Sequence, residues 1–153
     1  MTLRLTTGAF ENAGRIPRRF TCDGANVSPP LAWSGVPPEA RSFAIVCSDP
    51  DAPGGTFHHW AIFDIPSGTA ALAEDCARGG SGEWHEALND FGKKGYGGPC
   101  PPRGHGDHHY HFRLFALATE RLPLGPRPSC RDVERAARDH LVAEAEVVGI
   151  YAR

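Results

Sequence analysis

The stretch Asn89–Leu117, NDFGKKGYGGPCPPRGHGDHHYHFRLFAL, decides the fold. Its first part is dense in Gly and Pro, which interrupt regular structure. Its last part, His108–Leu117, is apolar and aromatic and reads as the longest strand of the chain. A broken loop therefore runs straight into a strand that opens with His108 and Tyr110. Upstream, DPDAP (Asp49–Pro53) follows the apolar run SFAIVCS (Ser42–Ser48), and HHW (His58–Trp60) opens the apolar segment His58–Ile65. Three strand ends carrying an acid, an imidazole or a phenol point to one small pocket between loops and a β-core.

Working outward, the other signals are also β. Leu3–Thr7 is a short strand, and the strands are bounded by Gly, Pro, Asn and Asp clusters with little helix between them. That pattern favours antiparallel pairing. One helix is expected, over about Arg131–Glu146, with Val133, Ala137, Leu141 and Ala145 on one stripe. Ser129 is its N-cap, and Asp132 three residues on completes a capping box. Val147–Tyr151 reads as a final strand. The segment from Pro66 to Trp84 is rich in small residues and is expected to wrap the surface.

A length of 153 residues fits a single domain over 1–153 with a real core. Hydrophobic content of 41% and charged content of 22% are ordinary for a globular chain. The net charge is −2 and no basic block occurs, which argues against nucleic acid as a partner. Lys93 and Lys94 are the only lysines. No run reaches the roughly 20 apolar residues of a membrane span, and MTLRLTTGAF lacks the apolar stretch of a signal peptide. Cys22, Cys47, Cys76, Cys100 and Cys130 are odd in number and scattered, without CxxC. This spacing indicates neither a disulfide framework nor a zinc ribbon, and reduced thiols in a cytoplasmic protein are the simplest expectation.

Strand alternation sharpens the pocket, because residues i and i+2 share a face. Asp49 shares a face with Phe43, Ile45 and Cys47. His59 shares one with Phe57, Ala61, Phe63 and Ile65, placing Trp60 on the opposite face. His108 and Tyr110 share one with Phe112, Leu114 and Ala116. If these rows face the core, Asp49, His59, His108 and Tyr110 line a cleft at its rim, unless a bulge shifts the register. Such a cleft suits a small anion, since imidazole N–H and phenol O–H groups donate hydrogen bonds. Asp49 would act behind the imidazoles, accepting from a ring N–H and setting the tautomer. The loop Gly95–Gly106 could offer backbone N–H groups, with Pro99, Pro101 and Pro102 stiffening its wall.

Each piece has a plainer reading. DPDAP alone is a turn, GGPCPPRGHG alone is a surface loop, and Asp90 and Phe91 simply close a turn. His109 and His111 share a strand face, but no HExxH or dense HxHxD is present, so no metal and no cofactor are expected. No nucleophile elbow, P-loop or GxGxxG occurs, and nothing marks Cys100 as a nucleophile.

Taken together, SPPLAWSGVP (Ser28–Pro37), DPDAP, HHWAIFDIP (His58–Pro66), NDFGKKGYGGPCPPRGHG and HHYHFRLFAL resemble the phosphatidylethanolamine-binding protein family, particularly its bacterial Raf-kinase-inhibitor-like branch. The blocks cover roughly two-thirds of the chain in the family's order, a highly specific match. The tail His140–Arg153 is similar to that branch. The resemblance implies a mainly β fold: a β-sandwich with a large central antiparallel sheet, a smaller sheet and a short helix near the C-terminus. It also implies a pocket for phosphate or a phospholipid headgroup. On this likeness Asp49 and Asp51 fall on the two acids of the DPD block and His59 on the imidazole before an aromatic. Pro102 falls on the second loop proline, and His108 and Tyr110 on the His-x-Tyr pair. Ala87–Leu88 stand where Gly and a basic residue are expected, and His109 stands in place of Arg. The expected function is a non-catalytic binding protein for a phosphate-bearing small molecule, which the likeness extends to modulation of a kinase or protease and to a homodimer. Two alternatives are a metal-assisted or acid/base hydrolase using the same His/Asp cluster, and a protein-interaction module with a vestigial pocket.

Overall fold

The computed structural model describes residues 2–77 and 83–153. Among the described residues nine strands and one α-helix follow in chain order: β1 (Arg4–Thr6), β2 (Gly14–Arg15), β3 (Leu31–Ser34), β4 (Ser42–Asp49), β5 (Phe57–Pro66), β6 (Ala71–Leu72), β7 (His85–Glu86), β8 (His108–Leu117), α1 (Cys130–Asp139) and β9 (Leu141–Tyr151). They form a small sheet in the order β1-β3-β6 and a large one in the order β2-β9-β8-β4-β5-β7. The β2–β9 pairing is parallel; the other pairs are antiparallel.

The large sheet is covered on both faces, and its residues alternate accordingly. Phe43, Ile45 and Cys47 of β4 join Phe112 and Leu114 of β8 in the core beneath the small sheet, with Leu5, Leu31 and Trp33. The Trp33 and Phe43 rings meet at 5.3 Å. Ala44, Val46, Phe115 and Leu117 face the other way and pack with Val133 and Ala137 of α1. β4 therefore has eight buried residues in a row, the mark of a central strand with both faces covered.

β5 departs from simple alternation twice. Cys47 pairs with Trp60 and Ser48 with His58, so the strand carries one extra residue, His59. Trp60 and Ile62 consequently lie in the sandwich core, whereas Ala61 and Phe63 lie on the helix side. The expected grouping of His59 with Ala61 and Phe63, and of Trp60 on the opposite face, is thus overturned by the bulge. A second irregularity between Ile62 and Ile65 contains Asp64 at φ 58 and restores Ile65 to the sandwich core.

The helix is shorter than its apolar spacing predicts. Ser129 and Asp132 do form the reciprocal capping box, and the chain leaves the helix at His140. Residues expected in its last turns, Leu141 and Ala145, belong instead to β9, which pairs with β8 along its length. Ladder pairing over ten positions outweighs a modest helical preference for AEAE. Within the Pro66–Trp84 segment, Ala71–Leu72 adds a strand to the small sheet, and residues 78–82 lie outside the described residues.

Cys22 and Cys100 form a disulfide across 78 positions of sequence, leaving Cys47, Cys76 and Cys130 as thiols. Their spacing carries no sign of this; the pairing follows from the loop Gly97–Pro102 folding back onto the segment after Phe20. The expectation of fully reduced thiols is thus overturned for Cys22 and Cys100. Among the described residues no helix is long and apolar enough to cross a membrane. Alkylation of the unfolded, unreduced protein should label Cys47, Cys76 and Cys130 only, counted by intact mass, and all five cysteines after reduction. Replacing Cys22 and Cys100 with Ser should lower unfolding free energy by about 2–4 kcal/mol in urea titrations.

Candidate anion-binding site

Five of the six residues singled out from sequence surround one cavity. Asp49, His59, Pro102, His108 and Tyr110 line a recess of about 200 Å³, together with Ala52, Pro53, Phe57, Phe91, Cys100 and Pro101. Asp49 arrives from the end of β4, His59 from the β5 bulge, and His108 and Tyr110 from the start of β8. A larger cleft of about 490 Å³ lies between β7 and residues 122–128, and none of the six lines it.

Asp49 is 3% exposed and satisfied by two donors. Its Oδ1 accepts from the Asp51 backbone N–H at 2.8 Å, and its Oδ2 lies 2.6 Å from His108 Nδ1. A carboxylate only accepts, so Nδ1 of His108 carries the hydrogen, and Nε2 is its other polar ring atom.

The His59 ring is fixed in the same way. Its Nδ1 donates to the Gly97 carbonyl oxygen at 2.7 Å, leaving Nε2 as the second nitrogen. Phe57 at 4.9 Å, Phe91 at 5.4 Å and Tyr110 at 5.3 Å pack their rings against it. Burial pushes its pKa below the ordinary 6.5, against the opposing pull of the Gly97 carbonyl and the Asp49 carboxylate. Burial likewise pushes the Tyr110 phenol well above its ordinary range, with the Asp49 carboxylate adding to the effect. It stays protonated at neutral pH, able to donate.

The loop wall is held from behind. Pro99 oxygen accepts from Cys22 N–H at 3.1 Å, Asn26 Oδ1 accepts from Gly98 N–H at 2.8 Å, and the Tyr96 hydroxyl donates to Phe20 oxygen at 2.7 Å. Glycine is required at 98, where a Cβ would sit 2.3 Å from Phe20 oxygen. From the C-terminal tail, Arg153 Nε donates to Pro101 oxygen at 2.9 Å.

Asp51 stands apart from the other five. Its Oδ2 accepts from both the backbone N–H and the ring Nδ1 of His109 at 2.8 Å, away from the cavity lining. Burial would raise its pKa, but the two His109 bonds outweigh this and lower it. The histidine standing where the likeness expects Arg is thus the partner of this acid. His111 turns to Glu146, 3.2 Å away, so the two outward histidines of β8 serve separate carboxylates.

Sequence reasoning passed over Phe57 and Phe91, which frame the mouth; Phe91 is 45% exposed, unusual for so large an apolar ring. The exposed aromatic beside a Gly-rich loop was the available signal. Asp90, read as a turn residue, accepts from the His58 N–H at 2.8 Å and from Arg131 at 3.4 Å, on the helix side. His58 itself meets Glu134 at 3.0 Å.

A sequence model described as "Phosphatidylethanolamine-binding protein" matches residues 6–152. The chain belongs to that family. It is 49% identical over 154 residues to a "UPF0098 protein" of Methanothermobacter thermautotrophicus, covering 99% of each. The crystal structure of Escherichia coli YbcL, described as a new member of the mammalian PEBP family, superposes with a TM-score of 0.94 at 34% identity, covering 100% of this chain and 99% of that one. A Mycobacterium tuberculosis relative, 38% identical over 149 residues (97% of this chain, 72% of the relative), is named a lipoprotein, LppC. The fold read from the PEBP likeness, a mainly β sandwich with a short helix near the C-terminus, is the one observed.

The depressed His59 pKa has a stability consequence. The unfolded chain takes up this proton near pH 6.5, and the folded chain only at lower pH. The stabilisation is present above 6.5 and is lost as pH falls through the folded value. NMR titration should place the His59 midpoint below 6.5; a midpoint above it would contradict the burial argument.

Proposed function

We propose that this PEBP-family chain is a binding protein that holds a phosphate-bearing small molecule or headgroup at His59, His108 and Tyr110. The observation that carries the reading is the convergence of two buried imidazoles and a phenol on one small recess, each imidazole oriented by an acceptor behind it. The aromatic mouth of Phe57 and Phe91 suits the apolar part of an organic phosphate. Cys100, the thiol nearest the recess, is spent in the disulfide, which favours binding over covalent catalysis. Asp51 acts on this reading by holding the DPDAP turn against β8, and Pro102 by shaping the wall.

Binding is coupled to protons. A neutral His59 whose Nδ1 donates to Gly97 offers only a lone pair at Nε2, so it must gain a proton before it can donate to an anion. Affinity therefore weakens as pH rises through the His range, by up to about tenfold per unit for each proton taken up. A recess with so few donors supports millimolar to micromolar binding.

Phosphate and phosphoethanolamine should perturb the His59 and His108 ring signals at pH 6 more than at pH 8. His108→Ala should weaken binding by roughly 10- to 100-fold, the size of one charge-assisted hydrogen bond. Absence of any imidazole response at either pH would remove the reading. If His59→Ala leaves a protein partner's binding intact while changes to surface loops abolish it, the interaction-module alternative stands instead.

A further inference from the structure

His108 has two polar ring atoms, and both are already engaged. Nδ1 meets Asp49, and Nε2 lies 2.6 Å from Nδ1 of His105. Since His108 Nδ1 carries its hydrogen toward Asp49, Nε2 of the neutral ring accepts and His105 Nδ1 donates. The two rings stand 4.8 Å apart at 53°. His108 is 2% exposed, whereas His105 is exposed on the loop. The outer imidazole, which does not itself line the recess, thus engages the nitrogen of His108 that Asp49 leaves over.

The backbone lets that contact open. Gly104 at φ +77 and Gly106 at φ +87 flank His105, and a Cβ built at either would meet nothing within 4 Å. The loop is tied just upstream, where Gly104 N–H donates to Arg153 oxygen at 3.0 Å and His105 N–H to Pro102 oxygen at 3.2 Å. Rotation of one side chain into open space therefore uncovers His108 without unfolding the wall.

We propose that His105 is a built-in competitor: its ring occupies the ligand position on His108 and swings away when an anion binds. This rests on the anion-site reading above and adds to it a residue that sets the site's affinity. Inorganic phosphate titrated into the wild-type protein and His105→Ala at a single pH of about 6.5, followed by imidazole ¹H–¹⁵N spectra, tests it. The variant, altered at an exposed position, should stay folded, its melting temperature lowered by only about 2–4 °C for the one hydrogen bond lost. Its ligand-free spectrum should show the His108 Nε2 signal displaced from wild type, and phosphate should bind roughly fivefold more tightly, one net hydrogen bond no longer having to be broken. Unchanged or weaker binding by His105→Ala, in a protein whose wild type responds to phosphate, overturns the competitor and makes His105 a bystander or a ligand donor. Silence of both proteins toward phosphate removes the anion site itself, and the competitor with it.

Discussion

The buried contact between Asp49 and His108 is the constraint around which the site is arranged. β4 is paired on both edges and covered on both faces, so it tolerates charge only where it leaves the sheet. Asp49 sits at that end, and a carboxylate 3% exposed is costly unless its oxygens are satisfied. The Asp51 N–H satisfies one and the His108 ring the other. The same two bonds fold the DPDAP turn over the end of β4 and fix the orientation of His108. Removing either partner would strand the other in a dry environment, so the geometry of the recess and the stability of that sheet end are tied together.

Much of this was legible before the structure because alternation is a strong signal in β4 and β8. Phe43, Ile45 and Cys47 point with Asp49, and Phe112 and Leu114 point with His108 and Tyr110, as a period of two requires. In β5 the same rule chose His59 for a reason that failed. The bulge reverses the parity beyond it, sending Ala61 and Phe63 toward α1 and Trp60 toward the sandwich core. A bulge leaves no mark in a run such as HHWAIF, since either register buries apolar side chains. The overlong helix has a related cause: Leu141 and Ala145 fit a helical stripe, but the open edge of β8 offered a full ladder instead.

The loop wall shows what spacing cannot reveal. Cys22 and Cys100 are far apart in sequence and belong to no recognisable pattern, yet the crosslink ties the segment after Phe20 to the wall of the recess. Tyr96, Asn26 and Arg153 add hydrogen bonds from three directions. Such a Gly/Pro-rich segment gains little from its own backbone regularity, so its shape depends on these distant partners. A disulfide at this point also changes what can be inferred about the cellular setting, because buried thiols alone would fit a reducing one. With a relative named a lipoprotein, location is not decided by the thiols of this chain.

The two inward imidazoles share a tautomer for different reasons. His59 commits Nδ1–H to a backbone carbonyl and His108 commits it to a carboxylate. In their neutral forms both would present an Nε2 lone pair, and the Tyr110 phenol would be the donor among the three. A fully deprotonated anion meets repulsion from such a set. Binding must therefore raise the proton count, either because an imidazole is charged or because the guest brings its own acidic hydrogen. Both routes respond to pH in the same direction. The buried position of His59 makes its charging costly, so a guest that arrives carrying a proton has the advantage there.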